Sequence, residues 1–416
     1  VISLPKKDKY IVSLDVGTSK ICAAIGLVNE AEQIDVVGIG QCESKGLRKG
    51  VVVNMEETIE SIKRAVEEAE LMAGVTVESV HAGIAGGHIK GFNSKGVIAI
   101  YGKNHEISRE DVHRVIEAAK AVSIPADREI LHIIPQEFIL DGQDGIAEPL
   151  GMRGSRLEAN VHIVTALSMS IQNLVSCINR AGIEVSDIIL EQLACSEAAL
   201  TLDEKELGVA LIDIGGGTTD IAIFERGSIW HTAVLPSGGH HFTNDIAVGL
   251  RTPIAEAEKI KKKYGCALSS LLSDDEVVEV PGVGEQKPRI LSRQMLGDII
   301  QPRAEEIFNL VLEEIKRIGY EKSLNAGLVL CGGGAVMEGM VEVAEEIFGL
   351  PARVGNPMGI GGLVDVVNNP IFAVAIGLIL YAYRNQSQER AFKYKRENIF
   401  GRTAAKFTRW FTELFK

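Results

Sequence analysis

The stretch Leu211–Phe224, LIDIGGGTTDIAIF, restricts the possible folds more than any other part of the chain. An apolar run ends on Asp213, the glycines Gly215, Gly216 and Gly217 follow, and Thr218, Thr219 and Asp220 lead into a second alternating run. The pattern predicts strand, tight turn, strand. Glycines there let a ligand approach the backbone closely. Free N–H groups and two hydroxyls suit a phosphate, and an aspartate at the strand end suits a hydrated Mg²⁺. Taken alone, the stretch reads equally as a plain glycine hairpin.

The N-terminus repeats the pattern. Ile11, Val12 and Leu14 lead to Asp15, then Val16, Gly17, Thr18, Ser19 and Lys20, then the apolar run Ile21–Ile25. Two strand–turn–strand units, each with Asp before Gly and a hydroxyl after it, argue for two related half-folds facing one phosphate ligand. A third element, Leu328–Gly339, is expected to run from a strand through Gly332, Gly333 and Gly334 into a helix N-terminus with unpaired N–H groups. A plain strand-to-helix loop is the alternative there. Neither the G-x-x-x-x-G-K-[ST] phosphate loop nor the HExxH zinc pattern occurs.

Spacing predicts helices over 54–74, 108–122, 168–182, 192–201, 242–250, 253–264, 296–318, 340–348 and 371–383. Ser108 with Asp111 resembles a capping box, and Gly74 sits where a helix stop belongs. Strands are expected at 36–44, 80–87, 130–140, 159–165, 185–191 and 327–330, and a hairpin at 89–101. Residues 269–289 read as a loop with short strands, 355–362 as a glycine-rich loop, and 384–398 as a polar linker. The block 84–162 differs in texture and reads as a compact insert.

With 416 residues the chain can bury more than one sizeable core. A net charge of −13 argues against a nucleic-acid partner. The six cysteines form no CxxC pair, which suits a reducing compartment rather than a disulfide frame or zinc site. Lys6 and Lys7 precede an apolar stretch that Asp15 interrupts, so no signal peptide is read there. The apolar run 371–383 is shorter than the ~20 residues a bilayer span needs and reads as a core helix. The last segment has the opposite charge balance. Arg390, Lys393, Lys395, Arg396, Arg402, Lys406, Arg409 and Lys416 stand against Glu397 and Glu413. On a helical wheel Phe400, Ala404, Phe407, Trp410, Phe411, Leu414 and Phe415 share one face, with Arg402, Lys406 and Arg409 opposite. An aromatic stripe backed by basic residues suits anionic lipid headgroups; docking on a core or partner is the alternative.

With three glycine elements in this order, the chain resembles the superfamily of actin, the heat-shock chaperone ATPases and the sugar kinases. Gly238-Gly239-His240-His241-Phe242 is similar to its Gly-Gly-x-x-Phe element, and Ala257-Glu258-x-x-Lys261 to a helix near adenosine. Glu191-Gln192-Leu193-Ala194-Cys195 departs from Glu-Pro-x-Ala-Ala by Gln192. The blocks Pro135–Phe138, Gly151–Glu158 (GMRGSRLE), Val161–Thr165, Val280–Gly284 and Pro302–Glu306 narrow the resemblance to the FtsA family of bacterial cell-division proteins.

That resemblance implies an α/β, actin-like (ribonuclease H-like) duplicated fold. It would have a central nucleotide cleft, an inserted α+β subdomain and a C-terminal amphipathic helix. The expected divisions are a first large subdomain at 1–83, 163–202 and 370–385; the insert at 84–162; a second large subdomain at 203–238 and 300–369; a small one at 239–299; a linker at 386–399; and the helix at 400–416. ATP and Mg²⁺ are the implied ligands. Asp15 and Asp213 would hold Mg²⁺ through water. Gly17, Thr18, Ser19, Gly215, Gly216, Gly217, Thr218 and Thr219 would face the β- and γ-phosphates. Lys20 reaches a phosphate or is simply solvated. Gly238, Gly239, Gly332, Gly333 and Gly334 would border phosphate and ribose. Glu258 and Lys261 lie near ribose and base or form a surface ion pair. Glu191, assisted by Asp213, would orient water in at most a slow ATPase that switches assembly.

The implied partners are further copies in a filament, the FtsZ C-terminal tail on 239–299, anionic inner-membrane lipids and later division proteins. The implied place is the cytoplasmic face of the inner membrane at the division site. A small-molecule kinase and a pilus-assembly actin homologue of the same superfamily are the alternatives.

Overall fold

The computed structural model describes residues 10–101, 104–273, 275–284 and 287–396. Two sheets share one construction. In the first, Tyr10–Val16 pairs antiparallel with Lys20–Val28 and parallel with Ser79–Ile84. In the second, Val209–Ile214 pairs antiparallel with Thr219–Glu225 and parallel with Leu328–Cys331. Each central strand is therefore flanked by its own hairpin partner and by a strand from far along the chain. All of Leu14, Ile21, Ala210, Ile212 and Ile221 are fully buried, so these strands are apolar on both faces, as strands covered on both sides must be.

The six-stranded first sheet is ordered Glu184–Leu190, Ser79–Ile84, Tyr10–Val16, Lys20–Val28, Ile34–Glu43, Gly361–Gly362. Helix Met55–Ala73 packs on it, started by the Asn54 side chain accepting from the Glu57 amide and stopped at Gly74. The second sheet is ordered Ser228–Leu235, Thr219–Glu225, Val209–Ile214, Leu328–Cys331, Ala352–Val354. One apolar cluster joins the halves: Ile189, Ala194, Leu211, Phe224, Val329, Val374 and Leu378 pack together between the sheets. The helices Glu191–Ala199 and Ala373–Arg396 supply its middle layer. Helices Gly239–Leu250 and Ile254–Tyr264, with the short hairpin Val277–Val280 and Arg289–Ser292, form a unit against the long helix Arg293–Arg317. Among the described residues no helix is long and apolar enough to cross a membrane.

The insert has its own core around Phe138, Leu157, Val161, Ile163, Val112 and Ile116. Its sheet runs Lys90–Ala99, Arg156–Leu167, Arg128–Leu140, Gln143–Ile146, with helix Arg109–Lys120 across it. Ser108 and Asp111 form the expected capping box.

Two local expectations fail. The hairpin expected at 89–101 is one straight strand. Lys90 to Ala99 pairs without a break with Thr165 to Arg156, so a distant partner supplies the ladder that a local turn was expected to close. The polar stretch from Arg384 does not break the last helix, which continues to Arg396. No Gly or Pro occurs between Gly377 and Gly401, and polar composition alone does not stop a helix. The helix expected at 340–348 is present as Met340–Phe348, and a short 3₁₀ turn, Gly333–Val336, connects the glycines to it. The amphipathic segment 400–416 lies outside the described residues, as does the end of the expected linker.

The insert docks against Ser228–Leu235, an edge strand of the second half. Gln136 Nε2 donates to the carbonyls of Ile229 (3.2 Å) and Trp230 (3.3 Å), and Asn93 Nδ2 donates to Trp230 O at 3.1 Å. His162, fully buried, contacts Asn93 Oδ1 through Nδ1 (2.7 Å) and Thr232 Oγ1 through Nε2 (2.9 Å). An acceptor on Nδ1 and a hydroxyl on Nε2 fit the neutral ring protonated at Nδ1. Burial pushes its pKa down to about 3, with His231 adding to the effect. The side chains thus satisfy carbonyls that an open sheet edge leaves unpaired.

Replacing both Gln136 and Asn93 by Ala should lower stability by about 1–3 kcal/mol for each carbonyl left unpaired in the interior. A lower urea midpoint with an unchanged slope would show this. The His162 ring binds its proton in the unfolded chain near pH 6.5 but in the folded chain only near pH 3, so its contribution is present above pH 6.5 and lost as pH falls. The stability difference between the native chain and His162→Asn should therefore shrink by about 1.4 kcal/mol per pH unit below that value. Urea titrations at pH 7 and pH 5 measure it.

Candidate functional site

The two glycine hairpins meet tip to tip. A Cβ on Gly216 would stand 1.8 Å from Ser19 Oγ, and one on Gly217 would stand 3.0 Å from the Thr18 side chain. A side chain at Gly216 would force the halves apart. One hydrogen bond also ties the halves here: Ser19 Oγ lies 2.8 Å from His240 Nε2. Within the first half, the Gly50 amide donates to Thr18 Oγ1 at 2.9 Å. Gly239 N and His240 N donate to Gly215 O and Gly216 O, both at 2.8 Å, and Gly238 N donates to His241 Nδ1. The start of helix Gly239–Leu250 therefore lies directly on the second hairpin.

The hairpin amides divide into two sets. Gly17 N donates to Lys20 O and Gly215 N to Thr218 O, so these two close their own turns. Among the described residues, the amides of Thr18, Ser19, Gly216 and Gly217 have no protein acceptor. They are the donors left for an anion. The hydroxyls behave differently from the sequence expectation. Thr218 Oγ1 donates to Asp220 Oδ2 at 3.0 Å, and the fully buried Thr219 donates to Ser237 O at 2.9 Å. Thr219 is the first residue of its strand and faces the packed interior, so its hydroxyl is committed to the protein.

Asp15, Glu191, Asp213 and Asp220 gather on the cleft floor. Asp213 and Asp220 are direct cross-strand partners, and Asp15, Asp213 and Asp220 are each less than a tenth exposed. A Cβ on Gly332, which has φ +79°, would stand 2.2 Å from Asp213 Oδ1, so the third glycine element covers this carboxyl. Gly334 packs on Ile214, and Gly333 meets nothing within 4 Å. Lys20 Nζ stands 3.6 Å from Asp15, donates to Ile371 O and lies 5.1 Å from the centre of the Phe372 ring. Its side chain keeps 21% of its exposure, and it is the cation beside Asp15.

Burial raises all four carboxyls above their ordinary range, and neighbouring carboxyls raise Glu191, Asp213 and Asp220 further. Asp213 is pushed up to about 7 by burial and then by Asp15, with Lys20 opposing. Asp220 is pushed up to about 8 by burial and then by Asp213, with Thr218 opposing. Glu191 is raised well above its usual value by burial and then by Asp15, Asp220 and Asp213. For Asp15, burial outweighs the lowering by Lys20. Such a cluster needs protons or a bound cation. Its donors are all oxygen, which is the chemistry of Mg²⁺. Among the described residues no three His, Cys, Asp or Glu side chains are placed to hold an ion directly. An ion bridged by water, as Mg²⁺ prefers, fits the donors present.

Glu258 and Lys261 form the i,i+3 pair at 2.7 Å, and Lys261 Nζ also donates to Gly239 O (3.0 Å) and Thr243 Oγ1 (2.9 Å). Burial works against the Glu258 charge, but Lys261 and Thr243 hold it below its usual range. The pair therefore borders the cleft loop while being satisfied within the protein. Asp220 and His240 were missed as site residues. Asp220 had a signal: in a hairpin turning at 215–218, residues 213 and 220 are opposite each other and face the same side.

Asp213 is destabilising when charged. Its folded pKa lies above the unfolded one, so stability is fully present below about pH 4 and lost as pH rises through about 7. Asp213→Asn should gain on the native chain by about 1.4 kcal/mol per pH unit across that window. Urea midpoints without nucleotide at pH 5 and pH 8 test the sign.

Comparison with known proteins follows the same division of the chain. The family described as "Cell division protein FtsA" matches residues 210–377, and "SHS2 domain inserted in FTSA" matches residues 86–165. A cell division protein FtsA of Pseudomonas aeruginosa is 53% identical over 379 residues, covering 91% of this chain and 90% of that one. In fold, the chain is similar to a PilM–PilN type IV pilus biogenesis complex, with TM-score 0.67, 16% identity and coverage of 90% and 98%. It is also similar to MreB5 of Spiroplasma citri bound to AMPPNP, with TM-score 0.54, 18% identity and coverage of 95% and 100%. At those identities the two structures establish an actin-like fold. The extended identity to the Pseudomonas protein, with the insert matched separately, establishes more: the chain belongs to the FtsA family of cell-division proteins.

Proposed function

We propose that this chain binds ATP with Mg²⁺ in the cleft, assembles into actin-like filaments, and tethers the FtsZ ring to the cytoplasmic face of the inner membrane, where it recruits later division proteins. The observation that carries the reading is the pair of facing hairpins, with unpaired amides at their tips and buried carboxyls behind them. Thr18, Ser19, Gly216 and Gly217 offer amides to the β- and γ-phosphates. Asp15 and Asp213 hold hydrated Mg²⁺, and its charge relieves the repulsion among the carboxyls. Gly239, Gly333 and the Glu258–Lys261 pair border the ribose and base. Glu191 orients water for slow turnover, with nucleotide state setting filament competence.

The subdomain limits expected from the sequence stand as part of this proposal. The unit 239–299 is the seat of the FtsZ tail. Phe400, Phe407, Trp410, Phe411, Leu414 and Phe415 enter the headgroup region while Arg402, Lys406 and Arg409 meet anionic phosphates. One such helix binds reversibly, and a filament multiplies it into a stable anchor. Heads joined front to back without closing a ring make the filament.

Filament growth by the full chain on anionic lipid monolayers should require ATP·Mg²⁺. Asp213→Ala should abolish both nucleotide binding, read by calorimetry, and growth. Filaments that ignore nucleotide, or unchanged affinity in Asp213→Ala, would remove the switch. Phe407→Glu with Phe411→Glu should release the chain from anionic liposomes. Continued cosedimentation of that variant would sink the membrane role.

A further inference from the structure

The short hairpin of Leu47–Arg48 with Val51–Val52 turns through Lys49 and Gly50, which have φ +51° and +74°. A two-residue turn with both residues at positive φ prefers Asn before the Gly, and a lysine there carries a cost in backbone energy. This turn sits at the cleft. The Gly50 amide donates to Thr18 Oγ1 at 2.9 Å, which ties the turn to the first glycine hairpin. A Cβ on Gly217 would stand 3.1 Å from Lys49 Cα, so the turn also touches the tip of the second. Behind it, a Cβ on Gly86 would stand 2.8 Å from Lys49 O. Lys49 is therefore fixed where the two tips meet, beside residues Thr18 and Gly217, whose amides have no protein acceptor among the described residues.

The lysines around the cleft differ in what they already hold. Lys20 stands beside Asp15 and donates to Ile371 O. Lys261 pairs with Glu258 and donates to Gly239 O and Thr243 Oγ1. Lys49 is exposed, and among the described residues its side chain makes no ion pair or hydrogen bond. A second turn with the same signs of φ, Arg226–Gly227, also places a cation first, but there Arg226 is paired with Glu137 at 3.4 Å. Free amides and an unpaired cation brought to one place suit an anion.

We propose that Lys49 binds the terminal phosphate of ATP and lets the cleft distinguish ATP from ADP. The inference rests on the ATP reading above. The groups read as bordering ribose and base, Gly239, Gly333 and the Glu258–Lys261 pair, belong to the second half. The second hairpin tip stands between them and Lys49: Gly216 O accepts the His240 amide at 2.8 Å, and Gly217 meets Lys49. A cation arriving from the first half therefore serves the end of the phosphate chain farthest from the base. Lysine suits the role as a point charge on a flexible four-carbon stem.

The test uses the full chain and Lys49→Asn, which removes the charge and supplies the residue this turn prefers. By calorimetry, affinity for ATP·Mg²⁺ should fall about 10-fold and affinity for ADP·Mg²⁺ should stay within about 2-fold. ATP binding should also weaken less steeply with added KCl than in the native chain. Lys49→Arg, which keeps the charge, should recover most of the ATP affinity, and the urea midpoint of Lys49→Asn should not drop. If Lys49→Asn does not fold, Lys49→Gly, equally at ease at positive φ, carries the same expectations. Unchanged ATP affinity, equal losses for ATP and ADP, or no recovery in Lys49→Arg would each overturn the proposal while leaving the ATP reading in place. A native chain that binds neither nucleotide overturns both.

Discussion

Three buried carboxyl groups, Asp15, Asp213 and Asp220, and the half-buried Glu191 gather beside Lys20 as the neighbouring cation. Much of the molecule serves to keep that arrangement closed. The two hairpins bring their aspartates to the same floor only because residues 216 and 217 lack side chains. Gly332 lies over Asp213 where any Cβ would collide with it. The apolar cluster between the sheets fixes the distance between the halves, so the carboxyls cannot relax outward into solvent. Raised pKa values are the electrostatic record of that confinement, and a multivalent cation with its water shell is the natural complement.

The arrangement also explains why the hydroxyls behind the glycines are not all alike. Ser19 and Thr18 sit on the tip of a short turn; Ser19 bridges to the other half through His240, and Thr18 accepts from Gly50 within its own half. Thr218 closes the second turn and Thr219 begins a buried strand, and their hydroxyls hold Asp220 and the Ser237 carbonyl. The same residue types in matching motifs thus divide between facing the cleft and building its wall. The division follows from whether the residue stands at the tip of the turn or at its closing end and beyond.

Much of this was legible in the sequence, for a physical reason. Glycines between alternating apolar runs mark a hairpin wherever the chain is read, and the Asp–Gly–hydroxyl echo at residue 15 marks the duplication. The capping box at Ser108 and the stop at Gly74 are equally local. What stayed hidden depends on distant partners. Lys90–Ala99 is a straight strand because residues 156–165 run beside it, and no window around residue 95 contains that information. Lys20 pairs with Asp15 and the carbonyl of Ile371, and Gln192 reaches Asp220 across the cleft floor. The run-on of the last helix to Arg396 shows the remaining limit, since polarity was read as a linker where the residues are ordinary helix formers.

The insert's grip on Ser228–Leu235 has a consequence for synthesis. Gln136, Asn93 and His162 leave the ribosome well before the strand they cap, because residues 229–232 follow them in the chain. The insert can complete its own core first, since its sheet and helix are contiguous. Its docking face must then stay hydrated, with amide and imidazole groups bound to water, until the second half is made. A polar docking face suits that wait. An apolar one of the same extent would sit exposed on the nascent chain and invite association with other chains.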